Sequence, residues 1–231
     1  MLFYAARGST GFGGAAAMPL MGLVIPIKVL VPAWTVIGLA AGFTLLGRDR
    51  KHVSWREMLR LLPSCLIGVA GGLYLFTTLD PRLLTRGLGI VVLAYGTYSL
   101  WCTFRPAKPP PTSSPLLAHA AGALAGVIGT TFGAMASVFF AIYFDVIRMA
   151  KDAFRATMTA VLVVFGIVRG LGYVAVGEFG RDVWMLVAVA IPMMLIGILI
   201  GDRIHMRLNE KAFRRIISGT LIVTGLTLTL K

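Results

Sequence analysis

Residues 116–146 read LLAHAAGALAGVIGTTFGAMASVFFAIYFDV. This apolar stretch is longer than one membrane crossing requires, since roughly 20 apolar residues span the hydrocarbon core of a bilayer as a helix. A glycine-rich motif, GVIGTTFG at 126–133, interrupts it. Because glycine permits backbone conformations that other residues avoid, the sequence predicts that the helix is broken at this motif.

A related motif, RGSTGFGGAAAMP at 7–19, interrupts the apolar stretch 2–27. A shift of 120 residues aligns Phe12-Gly13-Gly14 with Phe132-Gly133-Ala134, and a shift of 129 aligns Leu66-Ile67-Gly68 with Leu195-Ile196-Gly197. The sequence therefore predicts two copies of one membrane unit. They occupy residues 1–104, with a front that we expect to be shortened, and 116–231, and a linker with five prolines at 105–115 separates them.

The remaining apolar segments are uninterrupted and long enough to span a bilayer as helices. They lie at about 29–47, 59–77, 83–101, 153–176, 183–201 and 212–230. Hydrophobic residues make up 58% of the chain and charged residues 13%, and the mean hydropathy is +0.86. These values exclude a soluble or disordered chain and predict an all-α, polytopic membrane protein of about eight hydrophobic segments.

The net charge of +13 arises mainly from short basic clusters between the apolar runs, which favours membrane orientation over nucleic-acid binding. Arg169 lies within an apolar segment and is not counted; if all eight segments cross the bilayer, ten of the other Lys and Arg lie on one side and eleven on the other. If both interrupted stretches are re-entrant or half-helix elements, fifteen lie on the linker side and six on the other. The second arrangement gives the usual positive-inside bias. It predicts a cytoplasmic linker and inverted repeats.

The glycine turns are the predicted binding site. They bring backbone N–H groups close to a ligand, and a half-helix that starts there adds a partial positive charge. Uncharged donors in this arrangement would bind a small anion. The predicted binding residues are Ser9, Thr10, Gly11, Gly13 and Gly14 in the first copy, and Gly129, Thr130, Thr131, Gly133 and Ser137 in the second. The alternative is that these small residues only let helices pack closely, as the Gly68/Gly72 and Gly122/Gly126 spacings also allow.

Arg169 is the only basic residue well inside an apolar run, within VVFGIVRGLGY. A charge at that depth is costly and therefore points to function, and a guanidinium offers a permanently charged, forked donor to an anion. We therefore add Arg169 to the predicted site. The alternative is that its long side chain reaches the headgroups at the nearby helix end.

Catalytic and metal-binding patterns do not occur in the sequence. All nine acidic residues fall at or beyond the ends of the predicted helices, and the three histidines are far apart. Cys65 and Cys102 form no CxxC spacing, so neither a disulfide framework nor a metal site follows. We predict that the protein is not an enzyme and that it needs no cofactor.

The doubled motif resembles the TauE/SafE sulfite exporter family. The resemblance rests on GSTGFGGAAAMP (8–19) with GVIGTTFGAMAS (126–137), the stretches 27–34 and 149–157, and the LIG-x-x-x-G blocks at 66–72 and 195–201. It covers essentially the whole chain. It implies a multi-pass permease of the bacterial inner membrane that moves small anions, often sulfur-containing ones such as sulfite or organosulfonates.

The sequence thus predicts a secondary transporter that moves a small anion across the lipid bilayer by alternating access. Two alternatives stay open: a non-transporting membrane scaffold or assembly subunit, in which the glycines only pack helices, and an anion channel. A homo-oligomer is compatible with each of these functions, and nucleic acid is not an expected partner.

Overall fold

The computed structural model of the protein describes residues 14–104, 115–203 and 210–230, without the side chains of residues 14–17, 45–50, 102–104, 195–203 and 210–217. This part of the chain is helical. Its helices are α1 (Gly14–Gly22), α2 (Ile27–Asp49), α3 (Trp55–Thr78), α4 (Pro81–Phe104), α5 (Pro115–Phe132), α6 (Ala136–Val146), α7 (Lys151–Ala175), α8 (Arg181–Arg203) and α9 (Glu210–Leu230), with a short 3-10 turn at Arg50–His52.

The six uninterrupted apolar runs correspond to α2, α3, α4, α7, α8 and α9, and each helix end lies within about four residues of the predicted end. Hydropathy alone predicts these helices well because a bilayer crossing needs a long apolar segment. Within the described residues, five helices are long and apolar enough to span a membrane: Ile27–Thr44, Trp55–Thr78, Pro81–Trp101, Pro115–Phe132 and Lys151–Ala175. The prediction of an all-helical, multi-pass membrane protein is confirmed.

The interrupted stretch 116–146 forms two helices, α5 of 18 residues and α6 of 11 residues. At 1.5 Å per residue α6 is about 16 Å long, roughly half the thickness of the hydrocarbon core. It cannot cross a bilayer alone. The predicted break lies at the glycine motif, between Phe132 and Ala136.

By packing, the chain divides into two compact units, each made of segments from both halves. One unit comprises residues 31–78 and 110–192. Within it, α3 and α5 run parallel in backbone contact: Gly122 faces Leu61, and Gly126 faces Gly68. A Cβ added to Gly126 would lie only 2.4 Å from the carbonyl oxygen of Cys65. The close-packing interpretation therefore holds for the Gly68/Gly72 and Gly122/Gly126 pairs.

In the same unit, α6 returns toward the end from which α5 starts. The Tyr143 hydroxyl near the end of α6 donates to the Glu57 carboxylate at 2.5 Å, and Glu57 lies in the first turn of α3. Since α5 begins beside that same end of α3, α5 and α6 form a helical hairpin with both ends together. α7 also starts there, because the backbone N–H of Ser54 donates to the Thr157 hydroxyl at 2.9 Å.

The other unit comprises residues 1–30, 79–109 and 193–231. Here α4 and α9 pack antiparallel. Gly89 faces Gly225 and Thr229, Gly96 faces Ile222, and the Ser218 hydroxyl donates to the Ser99 hydroxyl at 2.9 Å. Glycine again allows backbone-to-backbone contact, since a Cβ on Gly89 would lie 2.7 Å from the backbone nitrogen of Thr229.

Two adjacent glycines of α3 test how much the parallel packing of α3 on α5 contributes to stability. A Cβ at Gly72 would lie 2.6 Å from the carbonyl oxygen of Val127, whereas a Cβ at Gly71 meets only the Val127 side chain at 3.8 Å. Gly72→Ala should therefore destabilise the protein by about 1–3 kcal/mol. Gly71→Ala should be neutral or slightly stabilising, because it lowers the chain entropy of the unfolded state. Thermal unfolding in detergent measures both, and equal melting temperatures would contradict the packing described.

Candidate functional site

The break between α5 and α6 contains two residues in the left-handed conformation. Gly133 has φ of 70° and Met135 has φ of 71°. Glycine adopts this conformation without steric cost, so the chain can turn at Gly133. Met135 is unexpected, because L-residues with a side chain rarely have positive φ.

Gly129 lies in the last turn of α5, at the point where α6 folds back. A Cβ added to it would lie 2.6 Å from the Ala136 Cβ and 2.9 Å from the Phe165 ring. Any larger residue would push α6 and α7 away from α5. The lack of a side chain at Gly129 therefore allows the three helices to pack closely, which is the role that small residues have in membrane helix bundles.

Arg169 points into the protein. Its side chain is 6% exposed, and Nη1 donates a hydrogen bond to the carbonyl oxygen of Gly129 at 2.5 Å. The guanidinium carbon lies 5.0 Å from the centre of the Phe165 ring, a distance suited to a cation–π contact. The alternative in which this side chain extends to the headgroups does not describe this structure. Its Nε is buried without a hydrogen-bond partner among the described residues.

Two residues near Arg169 escaped the sequence interpretation. The Tyr173 hydroxyl donates to the carbonyl oxygen of Thr130, and Phe165 packs under the guanidinium. Both lie four residues from Arg169, which places all three on one face of α7. That spacing around a buried charge is the signal that would have identified them.

The neighbouring threonines of α5 differ in their bonding. The Thr131 hydroxyl donates to the carbonyl oxygen of Gly72 on α3 at 3.2 Å. The Thr130 hydroxyl is fully buried and has no hydrogen-bond partner in the described part of the chain. Ser137, in the first turn of α6, is half-buried. The structure thus places the five predicted site residues of this half of the chain around the hairpin tip, with Arg169 bonded to a carbonyl at the end of α5.

The predicted residues of the first copy are mostly beyond the described structure. Ser9, Thr10, Gly11 and Gly13 lie outside the described residues, and Gly14 is the first residue of α1. The described part of the stretch 2–27 is interrupted at 23–26, between α1 and α2.

The rest of the described chain offers little other site chemistry. No three His, Cys, Asp or Glu side chains among those residues lie close enough together to hold a metal ion. Cys65 is buried against α5 as a small apolar group. His119 is exposed.

Comparison with known proteins places the chain among membrane transporters. The family described as "Sulfite exporter TauE/SafE" matches residues 1–228. The probable inner membrane transporter protein TsaS of Comamonas testosteroni is 29% identical over an alignment of 188 residues, and the match covers 79% of this chain and 75% of that protein. The probable sulfite/organosulfonate exporter TauE of Cupriavidus necator is 27% identical over an alignment of 231 residues, and the match covers 96% of this chain and 87% of that protein. No solved structure matches.

The family match covers nearly all of the chain, so the resemblance predicted from the doubled glycine motif is confirmed. The family consists of transporters and not of enzymes, as the lack of catalytic motifs predicted. The chain is a multi-pass membrane protein, and one relative is named as an inner membrane transporter. The protein belongs to the TauE/SafE sulfite exporter family of membrane transporters.

Proposed function

We propose that the protein is a secondary transporter that carries a small, sulfur-containing anion, such as sulfite or an organosulfonate, by alternating access. The anion binds at the tip of the α5–α6 hairpin. The substrate class is supported by the name of the Cupriavidus necator relative, a probable sulfite/organosulfonate exporter. The residues at the tip have the matching chemistry, since they provide N–H and O–H donors and one fixed positive charge.

The observation that carries this proposal is a pair of buried donors that have no hydrogen-bond partner within the described part of the chain, the Thr130 hydroxyl and the Arg169 Nε. Buried polar groups are nearly always hydrogen-bonded. Nine other helical threonines donate to the carbonyl four residues earlier: Thr35, Thr77, Thr78, Thr85, Thr97, Thr159, Thr224, Thr227 and Thr229. The Thr130 hydroxyl makes no such bond, and Arg169 donates to the carbonyl of the preceding residue, Gly129. In this proposal a bound anion accepts hydrogen bonds from both unsatisfied donors.

The first turn of α6 supplies further donors. Met135 precedes α6 without capping it through a side-chain hydrogen bond. The Val138 N–H donates to the Met135 carbonyl, so the donors that this proposal assigns to the anion are the N–H groups of Ala136 and Ser137, with the partial positive charge of a helix start. Gly133 and Ser137 belong to the proposed site because they shape this turn. The Thr131 hydroxyl holds α5 against α3 in this proposal. Ser9, Thr10, Gly11, Gly13 and Gly14 stay in the proposal on their sequence alone.

We also propose that α5 and α6 form a re-entrant hairpin, which enters and leaves the membrane on the linker side. Three features support this: α6 is too short to cross, both ends of the hairpin lie beside the start of α3, and re-entry gives a strong positive-inside bias. Non-helical backbone at membrane depth is tolerated where it is buried in protein or lines a cavity.

The antiparallel packing of α4 and α9 supports inverted repeats. Under the 129-residue shift, α4 and α9 are equivalent helices, and the pair Ser99–Ser218 maps onto Gly89–Leu228. Gly89 in fact faces Thr229, one residue away. The pair Gly96–Ile222 maps onto Leu93–Gly225, which is also in contact. An interface that maps onto itself in this way is expected of two copies related by a two-fold axis in the membrane plane.

This topology makes an accessibility prediction. Single cysteines placed in the linker at 105–115 should be labelled by a membrane-impermeant thiol reagent only from the cytoplasmic side. Cysteines at 177–182 should be labelled only from the opposite side, since one full crossing, α7, separates them from the hairpin. The background should lack Cys65 and Cys102. Labelling of both regions from one side would contradict the re-entrant hairpin.

Transport itself is tested in proteoliposomes with radiolabelled sulfite, and with an organosulfonate in parallel. Saturable uptake supports a transporter, single-channel currents would indicate a channel, and the absence of flux would favour the scaffold. Arg169→Ala should lower the flux at least about tenfold, because a hydrogen bond to a charged group contributes about 1.5–3 kcal/mol. Arg181→Ala removes an exposed charge and serves as the control. Unchanged flux in Arg169→Ala would remove this residue from the mechanism.

A further inference from the structure

Side chains of α7 donate hydrogen bonds to backbone carbonyls at the C-terminal end of α5. Gly129 and Thr130 lie in the last turn of α5, where carbonyl oxygens point toward the break instead of into a continuing helix. Arg169 donates to the first of these carbonyls and Tyr173 to the second. Both donors come from one face of α7 and are buried. The helix therefore ends against a matched pair of donors.

The charge at this end is favourable for a cation. Aligned peptide dipoles give the end of a helix a partial negative charge, and buried surroundings weaken the screening of such a charge by water. The Arg169 guanidinium is permanently charged. Its Nη1 donates to the Gly129 carbonyl oxygen, and its central carbon lies over the Phe165 ring. A cation is thus built into the negative end of the broken helix.

Transporters with discontinuous helices commonly use their two broken ends differently. The start of one half-helix faces an anionic substrate group, while carbonyls at the end of the other half-helix help to hold a coupling Na⁺. In this hairpin the carbonyls of Gly129 and Thr130 already accept hydrogen bonds from the chain itself. Each of these oxygen atoms therefore has one lone pair fewer to offer to a metal ion, which must gather several oxygen ligands.

We infer that the Arg169 guanidinium takes the place that a mobile coupling cation has in other transporters with broken helices. Arg169 is thus a cation covalently fixed to the chain, and the Tyr173 hydroxyl bonds to the second carbonyl, that of Thr130. The anion at the hairpin tip then binds without Na⁺ at this position. The predicted effect on flux rests on the proposed transport function, but the position of the guanidinium at the C-terminal end of α5 is a property of the fold.

The test removes the tethered cation and offers a free one. Purified Arg169→Ala should gain thermal stability from millimolar guanidinium chloride relative to choline chloride, whereas the wild-type protein and Arg181→Ala should not. In proteoliposomes, wild-type flux should be the same in Na⁺ and in N-methylglucamine. Arg169→Ala should lose most of its flux and regain part of it with guanidinium.

Arg169→Gln separates charge from hydrogen bonding, because its amide retains a donor for the Gly129 carbonyl. It also serves if the alanine variant does not fold. We expect it to fold and to lose flux. Wild-type flux in Arg169→Gln, a strict Na⁺ requirement in the wild-type protein, or no guanidinium response of Arg169→Ala in the melting measurement would each overturn the inference. If the wild-type protein moves no anion, the proposed function fails. The melting measurement still decides whether a cation is bound at the C-terminal end of α5.

Discussion

Replacing Gly133 with valine is expected to abolish anion transport, while the same replacement at Gly177 leaves transport largely intact. Both glycines are left-handed, with φ of 70° and 77°. A β-branched residue in that region is a strong outlier, and the left-handed conformation costs roughly 1–2 kcal/mol or more. The two variants should therefore lose similar stability. Only Gly133 turns the chain at the hairpin tip, so only its variant should displace the binding groups.

The measurement compares sulfite flux per folded protein in proteoliposomes with the melting temperature in detergent. Gly177 is the matched control because nothing lies within 4 Å of a Cβ added there. A displacement of about 1 Å in a positioned site can cost on the order of 100-fold in rate. If Gly133→Val unfolds, Gly133→Ala imposes a milder strain and should still lower the flux more than Gly177→Ala does. Equal flux in the two alanine variants would argue against a site at this turn.

Hydropathy and glycine spacing together were enough to predict the helices and the break in the second half. Each crossing must be long and apolar, so its limits can be read within a few residues from the sequence. The break follows from the glycine motif at 126–133, and a charge as isolated as Arg169 can only be buried at a cost. These features are local in the sequence, so they can be predicted without knowledge of the packing.

The direction of α6 and the partners of the site residues depend on contacts between distant segments. Tyr143 meets Glu57 across 86 positions of sequence, and no local pattern indicates that contact. Met135 carries a side chain in a conformation that sequence reasoning assigns to glycine. The sequence also treats Thr130 and Thr131 alike, although adjacent residues on a helix point about 100° apart. Only the packing shows that the Thr131 hydroxyl bonds to the Gly72 carbonyl of α3, while the Thr130 hydroxyl has no partner among the described residues.

Those two threonines separate binding from packing. The Thr131 hydroxyl is bonded to the Gly72 carbonyl, so Thr131→Val should lower stability by about 1 kcal/mol and leave the apparent KM for the anion close to that of the wild type. The Thr130 hydroxyl is buried without a partner among the described residues. Replacing it with a methyl group removes an unsatisfied group, so Thr130→Val should be as stable as the wild type or slightly more stable.

The most direct measurement is therefore saturable sulfite and organosulfonate uptake by Thr130→Val, with Thr131→Val and the wild-type protein reconstituted at equal density. Loss of one hydrogen bond to a charged ligand should weaken apparent affinity about 10- to 100-fold, in a protein whose melting temperature has not fallen. Wild-type affinity and flux in a well-folded Thr130→Val would mean that the anion binds elsewhere in the protein.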